Sequence, residues 1–136
     1  MTDPKQLAKM EFVSFCIEQY KKAANMGGRE VEQLFSKRGV MSSLFDNYQV
    51  QFNKTKKKVG KILMNQPKIT QENVHLLLPN KVAQLADRLL QNGVVSDIPT
   101  AVNMVYSSPV YANMERENTK YWWLGVNALY QEIVHQ

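Results

Sequence analysis

Residues 11–48 read EFVSFCIEQYKKAANMGGREVEQLFSKRGVMSSLFDNY, and this stretch carries the clearest helical pattern in the chain. From residue 5 to about residue 26, apolar side chains recur every three or four residues, as one face of an α-helix requires. They are Leu7, Met10, Val13, Ile17, Tyr20 and Ala24. Gly27 and Gly28 follow, and glycine readily ends a helix in the left-handed conformation. The sequence therefore predicts a long first helix that ends before the glycine pair.

Two shorter helices are predicted after the glycine pair. Residues 29–38 place Val31, Leu34 and Phe35 on one helical face, and Gly39 then interrupts the pattern. Residues 40–48 repeat the apolar spacing in a shorter run. We therefore expect residues 1–50 to form a compact three-helix unit.

A lysine-rich connector over residues 51–69 follows this unit. Residues 70–136 again show helical spacing, interrupted by turn residues such as Pro79, Gly93 and Pro109, and the last helix is predicted over residues 119–135. No segment alternates with the period of two that a half-buried strand requires. The chain is therefore expected to be all-α, a compact multi-helix bundle in two halves joined by a basic connector. The spacing leaves open whether the two halves share one core.

The charge of the chain is unevenly distributed. Residues 1–68 hold 13 Lys or Arg against 6 Asp or Glu, whereas residues 69–136 hold 4 against 6, and the net charge is +5. A basic half favours acidic partners such as nucleic acid. The first ten residues lack the apolar run of a signal peptide, and no window reaches the ~20 apolar residues of a membrane span. We therefore expect a cytoplasmic protein with no membrane contact.

Residue types that commonly perform catalysis are sparse in this chain. His75 and His135 lie in separate predicted elements, and neither stands at metal-ligand spacing from a cysteine or a carboxylate pair. Cys16 lies in an apolar helical run, which favours a structural thiol over a nucleophile. The glycine pair has neither the length nor the Lys-Ser/Thr ending of a phosphate-binding loop. The sequence therefore predicts no enzymatic activity, no metal site and no cofactor.

The first half resembles a family of small bacterial helical domains of unknown function. The family pattern is EF-x-x-FCIE-x-YK, then a glycine and V-x-x-LF, then a closing tyrosine. Here it is carried by Glu11, Phe12, Phe15, Cys16, Ile17, Glu18, Tyr20, Lys21, Gly28, Val31, Leu34, Phe35 and Tyr48. The resemblance implies a helical fold and no particular activity.

The second half is similar to another small helical family, over about residues 94–132. The matching residues are Asp97, Ile98, Pro99, Tyr106, Ser107, Ser108, Thr119 and Trp122. Domains of that kind often stand beside toxin-like genes. The resemblance therefore implies an antitoxin-like role, or that of an accessory partner of a toxin-type protein.

Aromatic residues crowd the final third of the chain and provide the first candidate site. Trp122 and Trp123 are adjacent, so on one helix they point about 100° apart and are difficult to bury together. Exposed aromatic side chains often anchor protein interfaces. We therefore expect a non-enzymatic protein-binding module that contacts a toxin-like protein or a second copy of itself through Tyr111, Trp122 and Trp123.

The lysine-rich connector provides the alternative site. The candidate phosphate contacts are Lys54, Lys56, Lys57, Lys58 and Lys61. Binding through such contacts would weaken as the salt concentration rises and would depend little on the nucleotide sequence. The cluster contains no arginine, which argues against sequence-specific hydrogen bonds to bases. The alternative prediction is a small nucleic-acid-binding protein.

Overall fold

Helices account for all the regular secondary structure in the described parts of the chain. The computed structural model describes residues 3–46, 56–61 and 68–135. The helices are α1 (Pro4–Ala24), α2 (Gly28–Lys37), α3 (Val40–Asp46), α4 (residues 56–61), α5 (Leu78–Gln91), α6 (Ile98–Ser107), α7 (Pro109–Met114) and α8 (Val126–Val134). Single 3₁₀ turns occupy Val74–Leu76, Glu117–Thr119 and Tyr121–Trp123. No strand occurs within these ranges, so the prediction of an all-α bundle is confirmed.

Three helices begin with a side-chain cap that the sequence makes available. The capping residues are Asp3 for α1, Asp97 for α6 and Ser108 for α7. Each side-chain oxygen accepts a hydrogen bond from a backbone N–H in the first turn, and a proline occupies one of the first two helical positions. Both features suit a helix start, because the first N–H groups have no partner within the helix.

The prediction for the last helix is wrong over its first seven residues. Residues 119–125 form 3₁₀ turns and a bend, and α8 begins only at Val126. Lys120 adopts a left-handed conformation with φ of 61°, which separates the two turns and is incompatible with a continuous α-helix. Trp122 stabilises this arrangement, because its Nε1–H donates a hydrogen bond to the carbonyl of Glu117 at 2.9 Å.

One hydrophobic core contains residues from both halves of the chain. The long helix α1 packs mainly against α5, and α5 also packs against α6 and α8. Fully buried members include Met10, Val13 and Ile17 from α1, Val82, Leu85 and Leu89 from α5, and Val102, Val105 and Leu129 from the later helices. Burying one such side chain stabilises the fold by about 1.5–3 kcal/mol, so the contact between halves is a major part of the stability.

The broad apolar stripe of α1 follows from this central position. Four helices contact α1: α2, α3, α5 and α6. A narrow apolar face on α1 could not pack against all of them. Among the described residues, no helix combines the length and the apolar character needed to cross a membrane.

Candidate functional site

A buried polar cluster around Glu18 joins the two halves. The Glu18 side chain has no exposed surface. Its Oε2 accepts hydrogen bonds from the hydroxyls of Tyr111 at 2.5 Å and Tyr106 at 3.0 Å. Its Oε1 lies 2.6 Å from the ammonium of Lys21, one helical turn along α1. A carboxylate in this setting is compensated by one charge and two hydroxyl donors.

The cluster extends outward from Lys21 through Glu115. The ammonium of Lys21 lies 3.4 Å from Glu115 Oε2. The same carboxylate oxygen accepts a hydrogen bond from the backbone N–H of Gly28 at 3.1 Å, at the first position of α2. On the inner side, the hydroxyls of Ser14 and Tyr106 lie 2.7 Å apart. These contacts connect α1, α2, α6 and the end of α7 through polar groups.

The acid–base properties of this cluster follow from burial. Burial raises the pKa of Glu18, and the positive charge of Lys21 opposes that rise. Burial and then the negative charge of Glu18 raise the pKa values of both Tyr106 and Tyr111 well above their ordinary value. The phenols therefore stay protonated and act as donors. Because Glu18 has no surface that a substrate could touch, the cluster is suited to fixing the packing of the two halves.

A polar cleft lies beside the cluster, with a volume of about 420 Å³. Lys21, Lys22 and Arg116 line it together with Glu72 and Glu115, so its formal charges nearly cancel. His75 also lines the cleft; burial, followed by the charges of Lys22 and Lys21, lowers its pKa to about 4. Lys21 is paired with Glu115 and Lys22 with Glu72, so Arg116 supplies the one excess charge of this cleft.

Metal binding has no support among the described residues. No group of three or more His, Cys, Asp or Glu side chains there could hold a metal ion. Burial raises the pKa of Cys16 to about 11, which disfavours the thiolate that a nucleophile or metal ligand needs.

The three predicted aromatic contacts differ in accessibility. Tyr111 is completely buried in the Glu18 cluster, so it presents no surface for the predicted contact. Trp122 keeps only 9% of its surface exposed and packs edge-to-face on Trp123, with ring centroids 6.0 Å apart. Trp123 is 77% exposed, the largest exposed fraction of any large apolar side chain among the described residues. The structure therefore leaves Trp123 as the accessible member of the predicted set.

Trp123 stands at the edge of a mainly apolar cleft of about 550 Å³, here called the aromatic groove. Its lining residues are Ile69, Leu76, Leu77, Asn80, Lys81, Trp122 and Trp123. The aliphatic members are partly buried, and Leu124 beside Trp123 is also exposed. Sequence reasoning missed all of the lining except the tryptophans, because the other residues come from the end of the connector, the 3₁₀ turn before α5 and the start of α5.

The predicted lysine site is only partly described by the structure. Lys54 lies outside the described residues. Lys57, Lys58 and Lys61 are exposed on α4. Lys56 forms an ion pair with Glu11 on α1, with 3.0 Å between Nζ and Oε2, so its charge is already compensated.

Part of the chain matches a known family model. Residues 11–52 match the model described as "Protein of unknown function (DUF3791)". The match coincides with the part of the sequence that resembles small helical domains of unknown function, and confirms that much of the resemblance. The similarity of the second half and its association with toxin-like genes remain predictions. No curated protein and no solved structure matches the chain.

Proposed function

We propose that this protein is a non-enzymatic protein-binding module that contacts its partner through the aromatic groove. The observation that carries this proposal is the 77% exposure of Trp123 at the edge of an apolar cleft. Tryptophan is enriched among the residues that dominate binding energy at interfaces. An indole left in water next to half-buried aliphatic side chains offers a partner both an anchor and a surface to cover.

The backbone around Trp123 favours this role. Trp122 is fixed by its hydrogen bond to Glu117, and the ammonium of Lys120 lies 5.7 Å from the Trp122 ring centroid. The two indoles pack edge-to-face, so a partner would meet an anchor whose position is already restricted. Restricting an anchor before binding lowers the entropy that association must remove.

The alternative proposal is nucleic-acid binding through the lysine site. The exposure of Lys57, Lys58 and Lys61 on α4 supports it. The ion pair between Lys56 and Glu11 weakens it, because a compensated ammonium releases fewer counterions from phosphate. We therefore rank it below protein binding.

A toxin-type protein is the partner class that the second-half resemblance implies. A second copy of this chain is the other candidate partner. Either partner would have to cover Trp123, so the aromatic groove is the proposed binding site in both cases.

The proposal is tested by capturing partners from the source cells with the tagged full-length chain. Half of each sample is treated with nuclease, and bound material is identified by mass spectrometry. We expect a stoichiometric protein that survives nuclease and 0.5 M salt, because apolar contacts are insensitive to screening. Recovery of nucleic acid alone, lost at moderate salt, would favour the lysine alternative instead.

A further inference from the structure

We propose that the segment of the partner that lies in the aromatic groove is acidic, with bulky apolar side chains flanked by Asp or Glu. This inference rests on the proposed function and adds the chemistry of the bound segment. It follows from the shape of the groove and from the sign of its uncompensated charge.

The aromatic groove continues into a second, smaller cleft of about 160 Å³. Leu76 and Asn80 line both clefts, so the two form one continuous surface. The surface runs from Trp123 at one end to Val59 and Gly60 of α4 at the other. An elongated surface with an apolar floor suits a short segment of protein chain that places several side chains along it.

The charge inside the aromatic groove is positive and has no acidic counterpart in its described lining. Among the described lining residues, Lys81 is the single ionic side chain, and none is Asp or Glu. The ammonium of Lys81 donates to the backbone carbonyl of Leu124. An ammonium has three donors, so the side chain can also bind a carboxylate. Burial lowers the pKa of Lys81, which indicates that its charge lacks full hydration and would gain from an acidic partner.

Neither end of the surface adds an excess of negative charge. At the α4 end, Glu11 is paired with Lys56, and three further lysines of the same helix are exposed without lining the cleft: Lys57, Lys58 and Lys61. Beside Trp123, Lys120 is paired with Glu117, which leaves neither sign in excess. The net field along the surface is therefore positive, and a basic or neutral segment would gain nothing from it.

An acidic peptide fits these features better than a nucleic acid does. Single-stranded nucleic acid is bound by stacking successive bases on several exposed aromatic rings along a basic groove. Here one indole is exposed among the described residues of the groove, and three aliphatic side chains line the groove with it. A second copy of this chain is also disfavoured, since each copy carries a net charge of +5.

The test is a selection from a random library of 16-residue peptides displayed on phage. The full-length wild-type chain is the bait, and binders to Trp123→Ala are removed. We expect the enriched peptides to carry net negative charge and at least one Leu, Phe or Trp. No enrichment over Trp123→Ala, or enrichment of neutral or basic peptides, would overturn the inference.

Variants of Lys81 then test the charge contact with one synthetic enriched peptide at 150 mM salt. We expect Lys81→Glu to weaken binding at least tenfold, and Lys81→Met, which keeps the apolar stem, to weaken it severalfold. Lys37→Glu reverses an exposed charge that does not line the groove, and should leave binding within about twofold. Equal effects of the two charge reversals would overturn the inference, as would displacement of the peptide by a 15-nucleotide oligothymidine at equal concentration.

Failure of this inference can be distinguished from failure of the proposed function. If the captured cellular protein depends on Trp123 but selected peptides are not acidic, only the chemistry of the bound segment is wrong. If Trp123→Ala captures that protein as well as the wild type does, the groove assignment itself is wrong.

Discussion

Gly28 lies so close to Tyr111 that a Cβ atom at position 28 would stand 1.9 Å from the Tyr111 hydroxyl oxygen. The relationship joins the first half of the chain to the second, because Gly28 begins α2 and Tyr111 lies in α7. It also explains why the glycine pair is not simply a helix break. The left-handed residue that ends α1 is Asn25, and Gly28 serves to admit the phenol.

The first prediction is that Gly28→Ala is strongly destabilising. The new methyl group would collide with three atoms of the Tyr111 ring and hydroxyl, all within 2.5 Å, and the ring is fixed by its bond to Glu18. We expect a loss of about 3 kcal/mol in the free energy of unfolding, measured by urea denaturation. Gly27→Ala is the matched control, because its Cβ would meet nothing closer than 3.6 Å. Gly27 is the N-cap of α2, where alanine is less favourable than glycine, so we expect a loss of about 1 kcal/mol or less. Equal stability of the two variants would contradict the packing described here.

The second prediction is that Tyr111→Phe lowers stability without changing partner binding. The variant removes the 2.5 Å hydrogen bond to Glu18 in a fully buried site, so we expect a loss of about 1–3 kcal/mol in the free energy of unfolding. Tyr121→Phe removes an exposed hydroxyl that bonds to Glu132, and should leave the free energy of unfolding nearly unchanged. If Tyr111→Phe reduced affinity for the captured partner while remaining folded, Tyr111 would belong to the interface after all.

The third prediction concerns the pH dependence of stability through His75. Its pKa falls from 6.5 in the unfolded chain to about 4 in the folded one. Between those values the unfolded chain binds the proton, so the stability contributed by neutral His75 is present above pH 6.5 and is lost as the pH falls towards 4.

Because His75 is about half buried, we expect this loss to be about 1–2 kcal/mol, after a discount for solvent screening. The measurement is urea denaturation at pH 7 and pH 4.5 for the wild type and His75→Gln. Between pH 7 and pH 4.5, the free energy of unfolding of His75→Gln should fall by about 1–2 kcal/mol less than that of the wild type. His135→Gln, at the exposed end of α8, should behave as the wild type does. Identical pH slopes for wild type and His75→Gln would refute the assignment.

The helices themselves could be predicted from the sequence because their signals are local. The spacing of Met10, Val13 and Ile17 and the break at Gly39 each act within a few residues, and the structure agrees with both. The last helix was mispredicted because the left-handed backbone of Lys120 has no signal in side-chain spacing.

The polar cluster and the groove could not be predicted, because their members are distant in sequence. Glu18 reads as a solvated charge on a helix until the fold brings Tyr106 and Tyr111 against it, 88 and 93 residues away. Adjacent tryptophans indicated that one would be exposed, but not which. That choice depends on the hydrogen bond from Trp122 to Glu117.

The most direct test of the proposed function is the affinity of the captured partner for wild type, Trp123→Ala and Val94→Ala, measured by isothermal titration calorimetry. Trp123 and Val94 are both exposed apolar residues, and Val94 lies outside the groove lining. We expect Trp123→Ala to weaken binding at least tenfold, or about 1.4 kcal/mol, and Val94→Ala to change it less than twofold. Circular dichroism should show all three proteins equally folded. A folded Trp123→Ala that binds with wild-type affinity would contradict the account.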